Sequence, residues 1–552
     1  MTLDRAPATP RGRRRARTAA TWLVVAPLVA VPIALYAWYV WAYGVNTVFW
    51  DQWHVVRLLQ LQGGGRLGWT ALWAQHNQNR MLFPNLVMIG LAGITRFDTR
   101  VEMAASVICL VVAYLALARL FLRHGPGSRW ALVPMAWLLF TLVQDLSALQ
   151  GFQIAWYMIL LAFLLALLAL ERAERSPGWV AVAVLAAVVA SYSSLQGLLV
   201  WPAGLAYVLG RGVRGGVRTA WIGAALLTTA GYGWGINPQH TGGPAVGFAL
   251  HHPLGAATYL LTLLGAIVPL PTWGTLCGGA LLALAAIVVA DWLATGGIHG
   301  PRRAPMALII FGVGFAALAT VGRAGFGPTQ AHASRYTTYT VLVLIGVLWG
   351  VVLRLRRPGG LRRRAAWFAV PALAPAALVV LQVATATPYG LRAGPVAQRA
   401  RLFDADLVVN YRSAPPVLLR QVVFPVGWQF RRRVPFLARH RLSVFAGPLA
   451  SAYRRAGVVP QGLLAPLLPA PTAVRALLQR DPAAHQAWQV LSDVAAQRPD
   501  LWGRLGPPGR PQERALVAWA LGPGLTDPLD GIYLRPHRAS LAALARALAE
   551  PG

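Results

Sequence analysis

Thr21 to Tyr43 reads TWLVVAPLVAVPIALYAWYVWAY, a stretch without a charged residue just downstream of a basic leader, Met1–Thr18. A helix of this length rises about 35 Å at ~1.5 Å per residue, enough to cross a hydrocarbon core of roughly 30 Å. Further apolar runs fall at 101–122, 130–144, 153–170, 179–191, 195–210, 219–236, 275–295, 306–321, 337–353 and 365–385, which makes eleven. In lipid only a helix or a closed barrel satisfies its own backbone, and runs of this kind are helical. The pattern predicts an all-α integral membrane protein, a polytopic helical bundle of about eleven spans. Two more runs, 82–95 and 255–270, are shorter or interrupted by Pro84 and Pro269, and read as interfacial or re-entrant segments.

Composition agrees with lipid as solvent. Of the 552 residues 57% are hydrophobic and 12% charged, against about 25% charged in soluble domains. The formal charge of +33 comes entirely from arginine, because the chain has no lysine. Only eight carboxylates precede residue 385: Asp4, Asp51, Asp98, Glu102, Asp145, Glu171, Glu174 and Asp291. The arginines gather in short loops between apolar runs and accompany no nucleic-acid-reading motif, so the charge reports membrane orientation and excludes DNA or RNA as the partner.

With the N-terminus in the cytoplasm, the inner loops carry Arg123 and Arg129, Arg172 and Arg175, Arg211, Arg214 and Arg218, Arg302 and Arg303, and the block Arg354–Arg364. The outer loops around Asp145, Ser193 and His240 carry none, which is the positive-inside asymmetry. The first outer loop, 44–100, departs from it with Arg57, Arg66, Arg80, Arg96 and Arg100, and long loops obey the rule poorly. The first run is too long for a signal peptide and lacks a small-residue cleavage site, so it is expected to stay as the first span. Cys109 and Cys277 lie in or beside apolar runs and imply neither a disulfide framework nor a metal site.

Three regions follow: a basic cytoplasmic N-terminus, 1–20; a polytopic membrane domain, 21–387; and a mainly helical C-terminal region, 388–552, placed outside by the odd span count. Val417–Arg433 and Pro435–Ala446 mix Arg with apolar residues, which suits short helices on the bilayer surface. A small helical domain in the aqueous space is the equal alternative.

The richest polar stretch is the first outer loop, FWDQWHVVRLLQLQGGGRLGWTALWAQHNQNRMLFPNL from Phe49 to Leu86. Its tryptophans fit an interfacial belt, so it is expected to lie on the membrane surface as short helices. Asp51 and His54, three apart, would share a helix face, as would His76 and Arg80, four apart, with Asn77 between them. Pro84 is expected to end the second polar helix at Phe83. Asp51, His54 and His76 are types that hold a divalent cation, although sequence fixes no distance among them. The plainer reading makes Asp51 a helix cap and lets Arg57 or Arg80 snorkel to headgroups.

A second cluster, GRAGFGPTQAHASRYTTYT from Gly322 to Thr340, sets Arg323, Arg335 and Tyr336 in an outer turn beside three glycines. Arginine is the side chain best shaped for bidentate phosphate recognition, and glycine lets backbone approach a ligand. Arg335 and Tyr336 would equally serve as interfacial anchors of a span. Asp145, with Gln150 and Gln153, and Ser193, Ser194 and Gln196 fall in short outer turns that line a cavity or merely end helices.

An acidic residue directly after the first span, a long interfacial first loop, a His/Asn/Arg cluster before a Pro-containing segment, and many spans followed by an outer tail resemble the GT-C-type glycosyltransferases. The resemblance covers residues 20–385 in architecture and, in motif, Asp51 and its loop. HNQNRMLFPNL, SLQGLLVWP and ASRYTTYT look like bacterial multi-span membrane proteins of the same arrangement. Those carry an acidic and a second basic residue where this chain has Gln78 and Asn79, which argues against a direct catalytic role for the cluster. The resemblance implies an inverting transfer of sugar from a polyprenyl-phosphate-linked donor to a glycan, lipid or protein acceptor of the cell envelope. Asp51 would be the catalytic base or help hold a cation, and Arg335 with Arg323 or Arg80 would meet the lipid phosphate. His54, His76, Asn77, Tyr336 and Asp145 complete the substrate-binding set. The competing readings are a transporter or flippase of lipid-linked saccharides, which requires polar groups at mid-span, and a non-catalytic envelope scaffold.

Overall fold

The computed structural model describes residues 10–124, 129–209, 213–237, 245–355, 365–414, 419, 427–451, 472–496, 510–523, 534 and 537–549. Among the described residues the chain is all-α apart from one hairpin of two two-residue strands, and it is membrane-embedded by the length and apolarity of its helices. Among the described residues eight helices are long and apolar enough to cross a bilayer: Ala19–Tyr43, Thr99–His124, Arg129–Ala148, Gly151–Ala173, Pro271–Ala294, Gly300–Phe326, Ser334–Leu355 and Leu373–Val409. These carry eight of the eleven expected runs. The other three form shorter or less apolar helices, Trp179–Ser191, Leu195–Val208 and Gly215–Gly233.

The helices up to the end of the membrane part are α1 (Pro10–Tyr43), α2 (Gln52–Gly63), α3 (Trp69–Trp73), α4 (Leu82–Thr95), α5 (Thr99–His124), α6 (Leu132–Leu139), α7 (Asp145–Ala148), α8 (Ile154–Ala173) and α9 (Trp179–Ser191). After them come α10 (Val200–Val208), α11 (Gly215–Gly233), α12 (Ala245–His251), α13 (Pro253–Gly265), α14 (Gly274–Ala294), α15 (Arg303–Arg323), α16 (Thr337–Leu355) and α17 (Ala365–Val409). The hairpin strands are β1 (Gln75–His76) and β2 (Asn79–Arg80). The two runs read as non-crossing are α4 and α13, of 14 and 13 residues. Pro84 does not end a helix. It lies in the first turn of α4, where proline costs no hydrogen bond.

The chain divides into two compact units, and each is described by itself. The first holds residues 1–44, 61–93 and 100–395. Large apolar side chains such as Leu23, Ile108, Leu115, Leu276 and Val380 stand exposed on its long helices, as lipid-facing residues must. Charge sits at one set of helix ends. Arg123 and His124, closing α5, meet Glu171 near the end of α8 at 3.1 and 3.4 Å. Arg303, opening α15, pairs with Glu174 just past α8, and Arg354, near the end of α16, pairs with Asp291 of α14. Arg302 donates to the Trp292 and Gly297 carbonyls at 2.9 and 2.6 Å, covering the C-terminal end of α14. The ends of α5, α8, α14 and α16 and the start of α15 therefore share one side.

α13 and α14 touch backbone to backbone. A Cβ on Gly265 would fall 1.8 Å from the Gly274 carbonyl oxygen, and one on Gly278 would fall 1.7 Å from that of Leu261. Gly274 and Gly278, four apart on one face, form the small-residue seam by which membrane helices approach closely. Between α14 and α17 lies an apolar groove of about 530 Å³, lined by Ala280, Ala283 and Ile287 on one side and Ala374, Ala377 and Leu381 on the other.

The second unit holds residues 45–60, 94–99 and 396–552. α17 runs on into it from the membrane part, past Thr385 where the sequence turns polar. Its further helices are α18 (Gly427–Arg439), α19 (Thr472–Arg480), α20 (Pro482–Ala496), α21 (Arg510–Leu521) and α22 (Arg538–Ala549). Amphipathic α19 to α22 share one core around Trp488, Leu491, Leu516, Leu541 and Leu544, the arrangement of a small helical domain. Val417 and Leu418 and residues 420–426 of the expected surface segments lie outside the described residues.

Candidate functional site

His76 and Arg80 do not share a helix face. Asn77 adopts φ 50°, a left-handed conformation that asparagine tolerates, and turns the chain into an antiparallel hairpin that pairs Gln75 with Arg80 and His76 with Asn79. Directly opposite residues point to the same face of a hairpin, so His76 and Arg80 point to opposite ones. His76 lies against Phe152 at 5.4 Å, and Asn79 Oδ1 accepts from Ser194 Oγ at 2.8 Å and from the Leu195 N–H at 3.1 Å.

Arg80 is buried on the other face, and its guanidinium is spent on backbone. It donates to the Trp73 carbonyl at 2.6 Å and to that of Trp234, and it stacks over the Trp73 ring. The Tyr232 hydroxyl accepts from the Arg80 N–H at 3.1 Å and donates to the Gln78 carbonyl at 3.0 Å. Gln75 completes the clasp, accepting from Asn237 N–H at 2.8 Å and donating to its carbonyl at 3.1 Å. Tyr232 and Asn237, about 150 residues from the hairpin, carry no local signal of this role.

The second cluster is assembled around Ser334. Its hydroxyl accepts the Leu146 N–H at 3.2 Å and also hydrogen-bonds the Asp145 carboxylate, so Asp145 and Arg335 flank one side chain. Asp145 is 8% exposed, and its Oδ1 has no partner. Gln150 Nε2, Gln153 Oε1 and Gln196 Nε2 are likewise buried and unsatisfied in the same layer of helix ends, whereas Gln153 Nε2 donates to Gln150 Oε1 at 3.3 Å. Each such group costs roughly 1–3 kcal/mol, so a layer of them is not built for stability. Trp156 stacks on Tyr339 at 5.0 Å and on Tyr336 at 6.3 Å, giving the layer an aromatic wall.

Arg323 and Arg335 share an electrostatic neighbour. Both guanidinium groups act electrostatically on the Tyr259 phenol of α13, which donates to Gln330 Oε1; Tyr336 donates to the same oxygen at 3.1 Å. Arg335 stacks on Tyr336 and Arg323 on Phe326 at 5.3 and 5.6 Å, and neither makes a hydrogen bond or ion pair among the described residues. Gly327 turns this segment at φ 88°, a value that favours glycine. His332 lies against Gly274 at the head of α14, and burial pushes its imidazole below the usual value, which keeps it neutral.

Asp51 and His54 belong to the second unit. Asp51 immediately precedes α2, its carbonyl accepting the His54 N–H at 2.9 Å, so the two share the first turn as expected. Phe49 and Trp50 stack at 4.9 Å, and the guanidinium of Arg401 covers the Phe49 ring. Arg401 pairs at 3.0 Å with Asp404, which is fully buried, and Asp406 accepts from Asn410 Nδ2 at 2.9 Å. Sequence reasoning passed over this buried acid pair; the signal was the FDAD tetrad after Arg401 in an otherwise acid-poor stretch.

Among the described residues no three His, Cys, Asp or Glu side chains converge as a metal site would require. Compared with family models, curated proteins and solved structures, the chain matches none.

Proposed function

We propose that the chain is a membrane glycosyltransferase, GT-C-like, that moves a sugar from a polyprenyl-phosphate-linked donor to a cell-envelope acceptor on the outer face of the cytoplasmic membrane. One observation carries the reading: two arginines that make no ion pair among the described residues act on the same phenol, that of Tyr259, and an apolar groove follows α14, whose head lies against His332 of the same turn. Ala280 lies six residues below Gly274, about 9 Å at ~1.5 Å per residue. A lipid phosphate held by Arg335 and Arg323 thus has a channel for its chain within reach. Charge complementarity and an apolar trough are together what a prenyl phosphate requires.

The chemistry is one displacement. The acceptor hydroxyl oxygen attacks the anomeric carbon, the bond from that carbon to the phosphate oxygen breaks, and the sugar is inverted. The proton passes to a carboxylate, the part that the family resemblance gives to Asp51, and the charge growing on the departing phosphate is met by Arg335 and Arg323. Asp145, Gln150 and Gln153, with unsatisfied polar atoms beside an aromatic wall, suit the hydroxyls of the sugar. Arg80, with three of its five N–H donors already given to backbone carbonyls, is left out of this phosphate site.

The orientation assigned here, N-terminus cytoplasmic and C-terminus outside, rests on loop charge and on the ion pairs that hold the Arg-rich helix ends together. The full-length chain in nanodiscs, supplied with polyprenyl-phosphate sugars and an envelope lipid extract, should transfer labelled sugar and bind polyprenyl phosphate. Failure to bind polyprenyl phosphate would refute the reading.

A further inference from the structure

α18 reads GWQFRRRVPFLAR and is strongly amphipathic. Sequence alone suggests that its apolar side enters the bilayer, but two apolar side chains of its second half are committed to protein. Val434 and Leu437 are fully buried in protein, and Arg433 donates to the Trp53 carbonyl of α2 at 2.6 Å. What α18 turns outward is basic: Arg431, Arg432 and Arg439, followed by His440 and Arg441, are exposed. Arg57 of α2 stands close enough to act on Arg433, whose guanidinium is held down to about 10 by burial and by that like charge. The guanidinium groups of Arg57, Arg96, Arg431 and Arg439 are exposed and make no hydrogen bond or ion pair among the described residues. Asp404 and Asp406 of this unit are buried.

Two hydrogen bonds within the unit tie the end of α18 to the segments that adjoin α1 and α5. Ser443, four residues beyond α18, donates its N–H to the Arg96 carbonyl at 2.9 Å and its hydroxyl to Asn46 Oδ1 at 3.3 Å. Arg96 lies three residues before α5 begins, and Asn46 three residues after α1 ends, both of them spanning helices. A face rich in exposed arginine, on segments that join spanning helices within three residues, suits the headgroup layer.

We propose that the outward face of α18, with Arg57 and Arg96, binds the phosphate headgroups of anionic phospholipids at the membrane surface. This assigns a role to arginines that violate the positive-inside pattern in the first outer loop: they are retained for contact with lipid and carry no topological information. The binding is electrostatic and salt-sensitive, as arginine contacts with phosphate at a membrane surface are.

The test is the ratio of phosphatidylglycerol to phosphatidylcholine that stays with the full-length chain after extraction from mixed vesicles. An arginine at an anionic surface contributes about fivefold. The triple variant Arg57→Gln, Arg431→Gln, Arg439→Gln should therefore lower the ratio at least about tenfold at low salt. Arg475→Gln, Arg480→Gln, Arg546→Gln removes equal charge from exposed positions on α19 and α22 and should leave the ratio unchanged. Replacement of the first three by Lys should keep both lipid and melting temperature. An unchanged ratio in the Gln triple, or an equal fall in the control, overturns the proposal. If the Gln triple keeps its phosphatidylglycerol but loses binding to soluble poly-glutamate, the face takes an acidic polymer and the lipid assignment falls. Should the triple fail to fold, the single Gln variants carry the same comparison.

Discussion

Arg303 opens α15 and pairs with Glu174, just past the end of α8, so those two helix ends lie on the same side of the membrane. An even number of crossings must separate them, and α9, α10, α11 and α14 supply four if α12 and α13 do not cross. In a Cys109→Ala, Cys277→Ala background, Ser176→Cys and Gly215→Cys should resist an impermeant thiol reagent in intact cells, and Thr272→Cys and Thr329→Cys should react. The reverse pattern would invert the orientation.

Arg335→Lys keeps the charge of the phosphate site but loses its planar fork, and Arg323→Lys does the same beside it. Each should weaken polyprenyl phosphate binding by at least about tenfold, a loss of ~1.4 kcal/mol, with little change in melting temperature. Undiminished binding in both would return Arg335 and Tyr336 to the role of interfacial anchors.

Asp51→Asn and Asp145→Asn separate chemistry from binding. The first should lower kcat by at least about 100-fold with KM nearly constant, as removal of a positioned base does. Asp51→Glu, moved by about one methylene, should also be impaired by about 100-fold. Asp145→Asn should act mainly on KM. If the two effects exchange places, Asp145 is the base, and if both variants match the parent in transfer, neither carboxylate takes part.

Arg80→Lys tests a clasp. Three carbonyls, those of Trp73, Tyr232 and Trp234, receive its guanidinium N–H groups, and a lysine cannot reach them in the same fork. Hydrogen exchange at residues 75–80 should rise and stability fall by about 1–3 kcal/mol, while polyprenyl phosphate affinity stays within twofold (a factor worth only ~0.4 kcal/mol). A selective loss of affinity with normal protection would instead make Arg80 a ligand-binding residue.

Adjacent glycines of α14 should respond in opposite directions. A Cβ at Gly278 collides with the Leu261 carbonyl, whereas one at Gly279 meets nothing within 4 Å. Gly278→Ala should destabilise by about 1–3 kcal/mol through the forced separation of α13 and α14, and Gly279→Ala should be neutral or stabilising by up to ~1 kcal/mol. Melting of the purified protein distinguishes them, and equal behaviour would mean that the seam yields.

What was legible in the sequence is what is local. Length and apolarity identify the eight long spans, because a membrane helix declares itself without reference to its partners. The hairpin was not legible. HNQNR fits a helix face as well as a turn, and the choice is made by Tyr232, Trp234 and Asn237, which receive the strands from far along the chain. The course of α17 was hidden for an electrostatic reason: Arg401 and Asp404 read as surface charge one at a time, but as a pair they are admitted to the interior. Of the candidate site, Asp145 does reach the segment of Arg335 and Tyr336 through Ser334, because both flank turns between spans.

The glycine seam between α13 and α14 also bears on how the protein is made. With 13 residues, α13 is well short of the ~20 that partition into a bilayer unaided. The surface against which it packs, Gly274 and Gly278, leaves the ribosome after it does. α13 can therefore settle only once α14 has emerged to pack against it, and its place in the membrane is held by that partner without a crossing of its own.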